Sequence, residues 1–132
     1  GGGASAESKL TLELNSSYTV VVGAGGAGRS EAYAQGGNGS NSTFSTITST
    51  GGGGGGRYDA TGNSGGSGGG AGRMYTTAAS GTANQGYAGG KGNASYGGGT
   101  GGGGGASAAG QASNIARRHR ETQSTGAASA GF

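Results

Sequence analysis

Residues 51–72 read GGGGGGRYDATGNSGGSGGGAG. Six consecutive glycines, followed within nine residues by a second glycine run, leave almost no side chain to bury. Glycine also loses more conformational freedom on folding than any other residue. If such a stretch is ordered, the cohesion must come from the backbone. N–H···O=C bonds between segments, Cα–H···O contacts and the close approach that only glycine permits are what remain. Extended chains with three residues per turn pack in this way. At about 3.1 Å per residue, a six-glycine run reaches roughly 19 Å. Collagen is excluded, because glycine does not recur strictly at every third position and proline is absent.

The rest of the chain repeats this theme. Of 132 residues, 39 are Gly and none is Pro or Cys. The large aliphatic and Phe side chains number three Leu, three Val, two Ile and two Phe, with a single Met. A domain of this length ordinarily buries several dozen such side chains, so a conventional hydrophobic core is excluded. Further glycine runs lie at 23–28 (GAGGAG), 36–39 (GGNG), 65–72 (GGSGGGAG), 86–92 (GYAGGKG) and 97–105 (GGGTGGGGG). Their intervals are irregular, which rules out a strict repeat array.

Ordinary strand chemistry is confined to the N-terminal third. Leu10, Leu12 and Leu14 alternate with Thr11 and Glu13, Asn15-Ser16-Ser17 offers a turn, and Tyr18-Thr19-Val20-Val21-Val22 is aromatic and β-branched. This predicts a hairpin of strands 8–14 and 18–22. The stretch STFSTITS (42–49) reads as one further strand, with Phe44 and Thr46 on one face and Ile47 on the other. Beyond Ala106 the composition shifts to Ala, Ser, Gln and Arg, which favour a short helix over 106–121. The expected fold is irregular and all-β-like: a short β-hairpin followed by a bundle of polyglycine II helices with little hydrophobic core. Residues 1–110 form the glycine-rich unit and 111–132 an Ala/Ser/Arg tail. The chain begins Gly1-Gly2-Gly3, without an initiator Met or signal peptide, as a mature chain or a piece of a longer one would.

Enzyme-like patterns occur but lack their context. GAGGAG (23–28) matches GxGxxG after a predicted strand, yet RSEAYAQ runs directly into GGNGS and residues 40–50 carry no acid for a ribose. The same stretch with Arg29-Ser30 approximates a phosphate-binding loop, which needs a parallel α/β core that this chain cannot build. His119 is the sole His, and Glu7, Glu13, Glu31, Asp59 and Glu121 are scattered. Neither a metal site, a triad nor a carboxylate pair is indicated. The expectation is a non-enzyme without cofactor.

A net charge of +3 is too small and dispersed for a nucleic-acid partner, and Arg117-Arg118-His119-Arg120 reads as a solvated or subunit-contacting face. No apolar stretch approaches the ~20 residues of a membrane span, so no membrane insertion is expected. The absence of Cys removes disulfide staples and fits an exposed particle.

Residues 18–28 (YTVVVGAGGAG) and 38–56 (NGSNSTFSTITSTGGGGGG) resemble the glycine-rich domain of phage tail-fibre and tail-tip adhesins. The stretches 65–72 and 86–110 continue the resemblance, which covers roughly 7–110. The RRHR segment is no part of that pattern. The resemblance implies a sandwich of polyglycine II helices whose distal loops bind a bacterial outer-surface receptor, protein or glycan, placing the chain on a virion or outside the cell. Aromatic and cationic residues concentrate between the glycine runs: Arg57, Tyr58, Arg73, Met74, Tyr75, Tyr87 and Tyr96. Tyrosine joins large contact area to low entropy cost, so these are the candidate receptor-binding residues. Two other readings compete. One is a structural subunit of an extracellular fibre or coat, pairing with other copies or a parent fibre protein. The other is an ice-binding protein, which wants flat arrays of small residues rather than irregular aromatic loops.

Overall fold

The computed structural model describes residues 8–28, 30–31, 33–94 and 98–113. Three short strands, β1 (Val20–Val21), β2 (Ser42–Phe44) and β3 (Ile47–Ser49), form one antiparallel sheet in the order β1-β2-β3. No helix occurs among the described residues. Most of the remaining described residues lie in segments joined side by side by backbone hydrogen bonds. Nine segments make up this bundle: rod 1 (23–28), rod 2 (35–41), rod 3 (50–57), rod 4 (60–66), rod 5 (67–72), rod 6 (77–82), rod 7 (86–93), rod 8 (99–105) and rod 9 (108–113).

Rod 3 displays the logic. The Gly53 and Gly56 N–H groups donate to Ser67 and Gly70 of rod 5, both at 2.8 Å. The Gly51 and Gly54 carbonyls accept from Gly66 and Asn63 of rod 4, at 2.7 and 2.8 Å. The Gly52 and Gly55 carbonyls accept from Gly39 and Gly36 of rod 2, at 3.0 and 3.1 Å. Each face of the rod thus recurs every third residue. The same step joins the other pairs: Gly69 and Gly72 donate to Asn63 and Ala60, and Gly68 and Ala71 to Tyr87 and Gly90. Gly101 and Gly104 donate in turn to Ala71 and Gly68. Rod 5 is therefore the hub, bonded to rods 3, 4, 7 and 8, and its Gly68, Gly69 and Gly72 are buried with Ala71. The interior is glycine, and Ala71 and Ala79 are the only buried hydrophobic side chains among the described residues.

Glycine is needed in these rods for space rather than for an unusual dihedral. Across 23–92 and 101–110, no glycine whose surroundings are described adopts a left-handed φ. A Cβ at Gly53 would lie 1.9 Å from the Asn63 carbonyl oxygen, and one at Gly69 would lie 2.0 Å from that of Gly54. Side-chain amides complete the ladder where rod 2 is not glycine. Asn38 and Asn41 accept from the Gly54 and Gly51 N–H groups at 3.0 Å, again three residues apart.

Bond direction fixes where the connections lie. Rods 3, 5, 7 and 9 run parallel, since 53 and 56 bond 67 and 70, 68 and 71 bond 87 and 90, and 110 and 113 bond 88 and 91. Rod 2 opposes rod 3, and rod 1 opposes rod 2 through Gly37 to Ala27 and Ser40 to Ala24. Rods 4 and 8 oppose rod 5. The turns at 57–60 and 73–76 and the connection carrying Tyr33 consequently share one end. The β2–β3 hairpin, the 66–67 and 83–85 turns and residues 106–107 share the other.

Three expectations are corrected. The hairpin of 8–14 with 18–22 does not form: Val20 and Val21 pair instead with Phe44 and Thr43. An alternating leucine strand needs an apolar layer to cover one face, and a glycine bundle supplies none, so Leu12 and Leu14 stay exposed. Asn15, at φ 58°, turns the chain, and the Tyr18 hydroxyl bonds the Glu13 peptide group. Residues 42–49 are not one strand but a hairpin in which Phe44 faces Ile47 across the two-residue turn Ser45-Thr46, with Ser45 at φ 53°. The helix expected over 106–121 is absent from 106–113. There Gln111 accepts from Gly102, and Ser113 donates to Lys91, so the bundle runs on through rod 9. The remainder of that stretch lies outside the described residues, as does the RRHR segment.

Candidate functional site

The two turns at one end of the bundle carry most of the aromatic and cationic residues that the sequence singles out. Rod 3 delivers Arg57, Tyr58 and Asp59, and rod 5 delivers Arg73, Met74 and Tyr75. Ala60 N–H closes the first turn onto the Arg57 carbonyl at 3.1 Å, and Tyr75 N–H closes the second onto that of Gly72 at 3.1 Å. Met74 N–H donates to the Tyr58 carbonyl at 2.9 Å, lacing the turns together. Below them the backbones touch closely enough that a Cβ at Gly72 would lie 1.5 Å from the Arg57 carbonyl oxygen. Gly92 N–H binds the Tyr75 carbonyl at 2.8 Å, which ties the second turn to rod 7.

On this base the side chains face outward. Tyr58, Met74 and Tyr75 are 44, 42 and 41% exposed. The Arg73 guanidinium stands 5.7 Å from the centre of the Tyr58 ring, a cation–π arrangement. Its Nε atom is buried and has no hydrogen-bond partner among the described residues. Arg57 Nε meets Asp59 Oδ1 at 2.8 Å with both side chains about half exposed. Such an ion pair contributes little stability but neutralises Arg57 locally. On these two turns the surface is therefore aromatic, with the Arg73 cation beside the Tyr58 ring, and its geometry suits stacking and hydrogen bonding to a ligand.

Not every residue in the expected set joins it. Tyr87 lies at the opposite end, half-buried, with its N–H on the Gly105 carbonyl and its carbonyl on Gly68 N–H. Tyr96 falls outside the described residues. Sequence reasoning missed Tyr33, which sits at the same end as Tyr58 and is 70% exposed. Its position between GAGGAG and QGGNG, the first two glycine runs, was the available signal.

The GAGGAG stretch is rod 1, bonded to rod 2 by the Ala24 and Ala27 carbonyls. Among the described residues no group of three or more His, Cys, Asp or Glu comes together.

A family model described as a glycine-rich domain matches residues 1–131. No curated protein and no solved structure matches the chain.

Proposed function

The chain belongs to the glycine-rich domain family, and within it we propose that this member is a non-catalytic module of a phage tail fibre or tail tip. On this reading its rods are polyglycine II helices. Left-handed helices of three residues per turn, without internal hydrogen bonds, turn their donors and acceptors to neighbours at every third residue. The 53/56, 69/72 and 101/104 ladders have that spacing. The bundle then serves as a rigid stalk, and the 57–60 and 73–76 turns contact a receptor on the bacterial surface.

The observation that carries this reading is the shared end. Parallel bonding of rods 3 and 5 places Arg57, Tyr58, Arg73, Met74 and Tyr75 together, on turns braced by backbone bonds. Exposed aromatics on a rigid base are what binding hot spots are made of. The opposite end, where β1 pairs with the β2–β3 hairpin, carries the exposed Val20, Val21 and Val22, a surface suited to joining the rest of a fibre. That apolar end equally favours the structural-subunit reading, in which the chain builds a fibre or coat.

Adsorption to host cells separates the two. The paired change Tyr58→Ala with Tyr75→Ala is expected to weaken adsorption by about 30-fold or more, the loss of at least one anchor worth ~2 kcal/mol. Thr46→Ala with Thr48→Ala, in the hairpin at the far end, leaves it unchanged. Adsorption retained by a folded Tyr58/Tyr75 variant would refute the receptor assignment.

A further inference from the structure

Rod 5 has neighbours on every side but one. Between rods 3 and 8 an open groove of about 440 Å³ runs along it. Among the described residues, six backbone N–H groups along this groove make no hydrogen bond: Gly52 and Gly55 of rod 3, Ser67 and Gly70 of rod 5, and Thr100 and Gly103 of rod 8. In each rod they are three residues apart, so the three walls present donors in register with one another. Like the bare edge of a sheet, such a surface is a template for pairing with another chain.

A second observation points the same way. Most glycines in the rods are enforced by a backbone atom where a Cβ would be, but a Cβ at Gly52 or Gly55 meets nothing within 4 Å. Nothing inside the module requires glycine at these two positions, and glycine there costs entropy that alanine would not. Close approach of something from outside is the remaining physical reason.

Rod 1 has the complementary character. It is an edge rod, bonded to rod 2 through the carbonyls of Ala24 and Ala27. The Gly25 and Gly28 positions are open within 4 Å. The Gly23, Gly25, Gly26 and Gly28 carbonyls accept no bond among the described residues. These acceptors again repeat in steps of three. We propose that rod 1 of a second copy of this chain docks in the groove between rods 3, 5 and 8, its free carbonyls accepting from the unpaired N–H groups. The contact joins two different surfaces, so it propagates head to tail as a ring or filament.

Light scattering of the full chain across a concentration series tests this. The expected result is association at high concentration, abolished by Gly55→Leu in the groove and equally by Gly25→Leu on rod 1, with melting temperatures unchanged. Gly52→Leu serves in place of Gly55→Leu should the latter not fold. An equimolar mixture of the Gly55→Leu and Gly25→Leu variants should stop at two chains, because it holds one intact groove and one intact rod 1. Because the chain has no Cys, Gly25→Cys together with Gly55→Cys should form a reducible ladder of disulfide-linked copies, and neither single change should pass beyond dimers. A wild-type chain that stays monomeric throughout, or a Gly55→Leu variant that associates as the wild type does, overturns the proposal. Association lost in Gly55→Leu but retained in Gly25→Leu overturns rod 1 as the occupant.

Discussion

The Gly53→Val substitution is expected to unfold the module, while Gly52→Ala, one residue away, changes its stability by under about 0.5 kcal/mol in the monomer. The contrast follows from the three-residue face pattern. A Cβ at Gly53 lies 1.9 Å from the Asn63 carbonyl oxygen, and 2.9 Å from both that residue's carbonyl carbon and Gly69 N. All three are backbone atoms of rods 4 and 5, so relief requires moving a rod rather than a rotamer. Overpacking an ordinary core costs about 1–3 kcal/mol because side chains can give way, and here the loss exceeds that range. Separating rod 3 from rod 5 also breaks the 53–67 and 56–70 bonds. At Gly52 the added methyl enters open space. Tyr58→Ala, by comparison, trims an exposed ring and leaves every rod contact in place. Thermal unfolding of the three variants checks this, and equal melting temperatures would contradict a close-packed glycine interior.

The second large effect is expected from Asn38→Ala, at about 2 kcal/mol or more. Asn38 Oδ1 accepts from the buried Gly54 N–H at 3.0 Å, and its Nδ2 donates to the Ser64 carbonyl at 3.0 Å. Its amide does for rod 2 what a backbone carbonyl does elsewhere, joining rods 3 and 4 at once. Truncation leaves a buried donor without a partner, which costs about 1–3 kcal/mol, in addition to the second lost bond. Asn38→Asp, which keeps the acceptor, is expected to recover part of the loss. Chemical denaturation measures both, and an Asn38→Ala chain as stable as the wild type would show that the amide is dispensable.

How far the architecture could be read in the sequence depended on where glycine was consecutive. GGGGGG at 51–56 and GGGAG at 68–72 announce rods 3 and 5 because no other structure makes use of so many missing side chains. Rods 4, 6 and 9 were less legible. ATGNSGG, TAASGT and AAGQAS look like polar insertions until one asks which residues touch backbone. In rod 4 Gly62 and Gly65 are buried, while Asn63 turns its side chain to rod 2, bonding Gln35 and the Gly36 carbonyl. A rod at the bundle's surface needs glycine on only some of its faces, so its signature dilutes to small residues at every third position. The strand errors have the opposite cause. Leu10, Leu12 and Leu14 have the right period for a half-buried strand, but period alone does not supply the apolar partner layer.

The candidate site was legible in its residues and not in its placement. Arg57, Tyr58, Arg73, Met74 and Tyr75 stand out because large and cationic side chains gather between the glycine runs of a chain otherwise built of small residues. Which end each turn occupies depends on counting rods, and the count changes with the unannounced rods 4 and 6. With rod 4 inserted, the chain returns so that the 57–60 and 73–76 turns coincide, and Tyr87, after rod 6, falls at the far end. No feature of Tyr87 itself distinguishes it from Tyr58.

Backbone bonds repeating at every third residue, rather than buried side chains, hold this chain in its fold. Residue-resolved amide hydrogen exchange on the dilute, monomeric chain tests that most directly. Slow exchange is predicted for Gly53, Gly56, Gly68, Gly69, Ala71, Gly72, Gly89 and Gly90, whose N–H groups are bonded between rods. Fast exchange is predicted for Gly52, Gly55 and Gly103, which are exposed and whose N–H groups donate no bond among the described residues. Along 51–56 the protection should therefore dip at every third residue. Uniformly fast exchange over 51–105, or protection alternating with a period of two, would contradict the account.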